Sequence, residues 1–251
     1  MRMFDIRFKP STGFSHIVHG ALVSLMPTML FIITRLQFFQ LQLGIALILL
    51  SKWRMFAVKP RHWFANIRAN AVDIIVSLSC LMFMIHGGVF IVQFTWAVIY
   101  GIWLMIVKPK SSTFGVILQA LIAQSAGMMA LTIAWGGAHS LILVLGAWVI
   151  NYMSARHFFA GFEEPMARYL SQVWGYFSAS LLWILSHWLL FYGPIAQPAL
   201  LLTVIGFGLG GMYYLEKSDR MSTMLQRQIN FVVFAVVMIV ITLSYWGNRT
   251  I

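Results

Sequence analysis

Long apolar runs without a single charge dominate this chain. Residues 43–50 read LGIALILL and residues 231–243 read FVVFAVVMIVITL. Runs of this kind have neither the period-two alternation of a membrane β-barrel nor the polar face of a soluble amphipathic helix. A helix satisfies its own backbone, so in hydrocarbon it is the form such a run can take. About 20 residues are needed to cross a bilayer core of about 30 Å. Nine stretches qualify or nearly do: 16–33, 36–50, 71–85, 89–107, 114–134, 139–152, 173–191, 198–215 and 229–246. The second and sixth are short. The expected fold is all-α: one integral membrane domain over residues 1–251, a polytopic bundle of about nine spans. The first stretch has a basic leading segment but no small-residue cleavage site after Ile33, so it is expected to remain as a helix, bent near Pro27.

Composition agrees. Hydrophobic residues make up 61% and charged residues 9%, against about a half and a quarter in a soluble domain. The single cysteine, Cys80, excludes a disulfide scaffold. No low-complexity segment and no internal repeat is visible.

The charges are one-sided. With the N-terminus inside and nine spans alternating, Arg2, Arg7, Lys9, Lys52, Arg54, Lys59, Arg61, Arg68, Lys108, Lys110, Arg156, Arg168, Lys217, Arg220 and Arg227 fall inside. Only Arg35 and Arg249 of the 17 basic residues fall outside. This is the positive-inside pattern, and it puts the C-terminus outside. It accounts for the net charge of +11 through insertion and contact with anionic headgroups, so no nucleic-acid partner is expected. The expected setting is a bacterial cytoplasmic membrane, with membrane lipids and a membrane protein as candidate partners.

All six carboxylates, Asp5, Asp73, Glu163, Glu164, Glu216 and Asp219, lie on the inner side or at its edge. Carboxylate acid–base chemistry at the outer surface is thereby excluded. Asp73 is the acid inside a span, and an intramembrane acid is a functional candidate. The plainer reading pairs it with Arg68 or another inner cation. The densest polar mixture is Arg156, His157, Glu163 and Glu164, read either as a polar inner pocket or as caps and solvated charges at the start of the seventh helix. Asp219 can cap the helix beginning near Met221. Residues 52–70 interleave Trp53, Phe56, Trp63 and Phe64 with five cations, as an interfacial segment would.

Other constellations are thin. His86, His139 and His187 fall toward outer helix ends and could converge if those helices are neighbours; each alone is a helix-end residue. His16 and His19 share a helix face but are too few for a usual metal site. No HExxH, GxSxG, Walker or haem-attachment motif occurs, and no cofactor is expected. Gly206 and Gly210, four residues apart, form a close-packing face and not a phosphate loop. In-span polar residues such as Gln93, Gln119, Gln124 and Asn151 can join helices or line a path.

The run Ser154-Ala155-Arg156-His157-Phe158-Phe159, followed by His187-Trp188-Leu189-Leu190-Phe191-Tyr192-Gly193 and Gln197-Pro198, resembles uncharacterised multi-spanning membrane proteins of candidate-phylum bacteria such as the Saccharibacteria. That resemblance implies a bacterial cytoplasmic membrane and no activity. By layout, the first five spans with Trp53, Arg54 and Pro60-Arg61-His62-Trp63 are similar to the membrane part of bacterial transglutaminase-like proteins, whose catalytic domain has no counterpart here. Three functions follow in order of expectation: a structural or assembly component of a membrane complex, a transporter or channel for a small solute or lipid, and a lipid-modifying enzyme using the inner pocket.

Overall fold

The computed structural model describes residues 13–37, 39–188, 191–192 and 194–245, without the side chains of 13–19, 22, 54 and 192. Nine α-helices occupy the described chain: α1 Gly13–Leu36, α2 Gln40–Ser51, α3 Trp63–His86, α4 Phe90–Ile102, α5 Thr113–Trp135, α6 Ser140–Ala160, α7 Ala167–Leu185, α8 Gln197–Lys217 and α9 Thr223–Leu243. The protein is all-α. Among the described residues its one strand pairing, Phe191 with Ala196 and Tyr192 with Ile195, ties the α7–α8 turn. Six segments are long and apolar enough to cross a membrane: Pro60–His86, Phe90–Val107, Thr113–Trp135, Ser140–Ala160, Gln197–Lys217 and Thr223–Leu243. In α1 the described apolar stretch, Val23–Leu36, is shorter, as is all of α2.

Helix ends differ from the sequence expectation where polar residues continue a helix past its apolar part. α3 begins at Trp63, eight residues before the apolar run, and α6 continues through Arg156 and His157 to Ala160. Polar and aromatic side chains cost a helix little, so only the apolar count, and not the backbone, stops where hydrocarbon would.

α5 is the hub, packing on α3, α6 and α8. Gly127 makes this possible, because a Cβ there would meet Ile75 of α3 at 2.7 Å and Ile150 of α6 at 2.8 Å. One apolar core joins α1–α4 around Leu30, Ile48, Val76, Leu81 and Met84. A second joins α5–α8 around Met128, Leu143, Ala147, Leu182 and Leu202. α6 and α7 form the most extensive helix pair. α9 rests on α8 with most of its surface bare.

Candidate functional site

One face of α3 carries Asn66, Asn70, Asp73 and Ser77 at steps of four, three and four residues, which stacks them in one stripe. Asp73 is buried at 7% exposure. Its carboxylate does not use Arg68, which lies five residues back and so about 140° around the helix. Oδ2 takes the Nζ of Lys52, from the end of α2, and the Nζ of Lys108, from the end of α4, the latter at 2.6 Å. Oδ1 accepts from Trp103 Nε1 at 3.0 Å. Ser77 Oγ donates to the Asp73 carbonyl at 2.5 Å and accepts from Tyr100 at 2.9 Å.

Local backbone geometry delivers these partners. Residues Trp103–Val107 form a π-helical turn, closed by Lys108 N–H to the Trp103 carbonyl at 2.8 Å. A bond spanning five residues stacks positions i and i+5. Trp103 and Lys108 would diverge in an α-helix; here both reach Asp73. Gln119 of α5 secures this turn, its Nε2 donating to the carbonyls of Val107, Lys108 and Lys110 at 2.8, 3.2 and 2.9 Å.

The group opens on a cavity of about 670 Å³ walled by α1, α3, α4 and the end of α2. Lys52, Asn66, Asn70, Asp73, Tyr100 and Lys108 supply its polar surface. Lys52 is nearly enclosed, at 8% side-chain exposure, while Lys108 is 45% exposed. Two ammonium groups facing one carboxylate leave a net charge of +1 on the cavity wall. Asn66 and Asn70 are themselves tied to the carbonyls of Met55 and Asn66.

Arg156, His157, Glu163 and Glu164 do not gather into one pocket. His157 Nε2 lies 2.9 Å from Gln119 Oε1. Glu164 turns to α8, accepting from the Tyr213 hydroxyl and pairing with Lys217 at 2.9 Å. The Tyr213 hydrogen bond first, and Lys217 beside it, hold the Glu164 carboxyl below the usual range. Glu163 is exposed at φ 52°, and Arg156 is half-buried. Among the described residues, no hydrogen bond or ion pair links Arg156 or His157 with either glutamate. The reason is helical: the extension of α6 aims His157 at α5, and the chain then reverses within residues 161–166.

Glu164 also accepts from the Met166 backbone N–H at the start of α7, but Glu163 and Asp219 do not cap the following helices. Glu163 and Asp219, at φ 52° and 53°, end α6 and α8. In each case the next N–H reaches back to the fifth carbonyl before it, Glu164 to Phe159 and Arg220 to Leu215. This is the Schellman closure, usually made by glycine. Ser222, not Asp219, caps α9 by accepting from Leu225 N–H.

His86, His139 and His187 stay local, bonding to the Met82 carbonyl, the Leu141 N–H and the Trp183 carbonyl. No group of three potential metal ligands exists among the described residues. The side chains of His16 and His19 lie outside the described residues, as do Arg2, Asp5, Arg7, Lys9 and Arg249. Gly206 and Gly210 do mark close contacts of α8. A Cβ at Gly206 would meet Gln124 Nε2 of α5 at 2.4 Å, and one at Gly210 would meet Phe158 of α6 at 3.3 Å. Comparison with protein-family models, curated proteins and solved structures finds no match for this chain.

Proposed function

We propose that this chain is a nine-span membrane protein, N-terminus inside and C-terminus outside, that binds an anionic group from the inner face in the Lys52–Asp73–Lys108 cavity. The ligand chemistry is a phosphate or carboxylate, carried by a lipid headgroup or a small solute. The net +1 charge on the wall of an open cavity carries this reading. Buried charge is costly unless compensated, and an oxyanion bridging Lys108 and Lys52 would complete the compensation that one carboxylate leaves unfinished. Asn66, Asn70 and Tyr100 add neutral polar groups to the same wall. The reading favours handling of a solute or lipid over a purely structural part. One observation supports an assembly role as well: α9 packs mainly on its neighbour α8 and leaves most of an apolar helix bare for another subunit.

The test is thermal unfolding of the purified protein at fixed ionic strength, with inorganic phosphate replacing chloride, and separately with vesicles containing phosphatidylglycerol. A ligand at a hundredfold its Kd stabilises by about 2.7 kcal/mol. The rise in melting temperature should disappear in Lys108→Gln, which leaves the Lys52–Asp73 pair intact. Stabilisation by phosphate identifies a solute; stabilisation by vesicles alone identifies a headgroup. Equal melting of parent and variant under every condition would remove the anion site.

A further inference from the structure

Between α5, α6, α7 and α8 lies a second cavity, of about 420 Å³, that shares no residue with the first. Its wall is almost wholly apolar and rich in rings, among them Phe158, Phe159, Trp174 and Tyr213. Its size falls in the range of about 300–1,000 Å³ seen for small-molecule sites. Two features say what enters it.

The first is the mouth. Val173 and Phe177 on α7 and Leu209 on α8 line the cavity and are 49%, 43% and 48% exposed. α7 and α8 touch little along their length. The opening therefore faces sideways, between two helices, toward the hydrocarbon. At the basic end it is closed by Glu164 on Tyr213 and by Phe162 packed edge-on against the Tyr213 ring, 5.0 Å between centroids.

The second is an unanswered polar atom. Ser154 lines the cavity, is 2% exposed, and its Oγ has no hydrogen-bond partner. The neighbouring polar groups are already engaged: Trp174 Nε1 donates to Gln124 Oε1 at 3.1 Å, and Gln124 Nε2 donates to the Leu202 carbonyl at 2.8 Å. A buried hydroxyl without a partner carries a desolvation cost of about 1–3 kcal/mol, so a ligand that accepts its hydrogen bond gains more than apolar contact. Ser154 sits six residues before the end of α6, about 9 Å along the axis. The interfacial region of a bilayer is only about 5–8 Å deep on each side, so this is the depth at which ester carbonyls meet hydrocarbon.

We propose that this cavity holds one acyl chain of an ester-linked membrane lipid, entering between α7 and α8, with the ester carbonyl accepting from Ser154. Gly206 and Gly210 keep the α8 wall back. The site is separate from the charged cavity, and its loss leaves the anion reading untouched.

The experiment uses the full chain in vesicles doped with phosphatidylcholine bearing a diazirine on one acyl chain, with photo-adducts mapped by peptide mass. The internal reference is α9, where Phe231, Val232 and Phe234 lie bare at 72%, 57% and 63% exposure. Adducts at Val173, Phe177 and Leu209 should exceed those on α9. Ser154→Ala should lower the cavity adducts about fivefold, the equivalent of one ordinary hydrogen bond, and leave α9 unchanged. The ether-linked analogue, which has no carbonyl, should label the parent cavity about fivefold less and be indifferent to Ser154→Ala. Cavity adducts no greater than those on α9, or equal labelling by ester and ether probes in the parent, would overturn the proposal. The ester–ether comparison decides even if Ser154→Ala fails to fold.

Discussion

Asp73 sits between two ammonium groups and an indole N–H, and its removal strands all three. Breaking a buried pair by deleting one partner costs about 3–5 kcal/mol, while replacing both with apolar residues is often neutral. Asp73→Ala should therefore destabilise by about 3–5 kcal/mol, and Lys52→Met with Asp73→Leu should recover much of the loss; denaturant unfolding of the purified protein reads both. Glu164 makes a different prediction. Its carboxyl is held below its ordinary value by Tyr213 and then Lys217. A depressed carboxylate contributes stability that is fully present above the unfolded value, about 4.3, and lost as pH falls through the folded value. Melting curves of the parent and Glu164→Gln should differ at neutral pH and converge in acid below that range. Asp73 was legible as a candidate from sequence because an acid within an apolar run stands out. Its partners were not, because Lys52 is 21 positions away and Lys108 lies beyond another helix. Only packing joins them.

At the scale of elements, the apolar runs located all nine helices, and the differences fall at their ends and at the π-helical turn that follows α4. Residues 63–70 and 154–160 look like connections in the sequence because hydropathy measures the solvent, not the backbone. The π-helical turn left no signature in composition, since its residues, WLMIV, are as apolar as their neighbours. Its consequence is nevertheless sharp. Deleting the exposed Ile106 should restore α-helical spacing, and Lys108, then four residues after Trp103, should stay on the same face, about 40° around the axis. The variant should keep both its helix content by circular dichroism and the phosphate-dependent rise in melting temperature; loss of that rise would show that the π-helical turn itself is needed to place Lys108. The chain reversals at Glu163 and Asp219 are hidden in the sequence for a related reason: an acid near a helix boundary suggests the start of the next helix, whereas both sit in left-handed backbone closing the previous one. A non-glycine residue there costs about 1–2 kcal/mol, partly offset because glycine is freer when unfolded. Glu163→Gly should thus stabilise slightly, by about 0.5–1 kcal/mol in the same unfolding assay.

For the whole molecule, topology rests on α1, α2 and α7, the helices outside the six candidate spans, and α1 and α2 can be tested together. α2 has 12 residues, a rise of about 18 Å, short of a core of about 30 Å. Its ends are nevertheless anchored at opposite ends of the bundle. Lys52, just past its last turn, is bound to Asp73 at the basic end. Arg35, just before the α1–α2 turn, reaches Gln93 at 3.4 Å and covers the Phe90 ring, both at the start of α4. Turn residues and local thinning of the bilayer can supply the missing length at modest cost. If α1 and α2 both cross, the turn at Gln37 faces outside and the segment around Lys59 faces inside. Cys80 is buried at 3% exposure and gives a quiet background for thiol labelling. Gln37→Cys and Lys59→Cys both place a thiol at an exposed position. In intact cells a membrane-impermeant maleimide should label Gln37→Cys and spare Lys59→Cys until the membrane is opened. If Gln37→Cys is reached only after opening, α1 and α2 form a re-entrant hairpin, the number of crossings falls by two, and the N-terminus still lies on the side of Lys59. If instead Lys59→Cys is labelled in intact cells, the whole bundle is inverted, and the charged cavity opens to the outside.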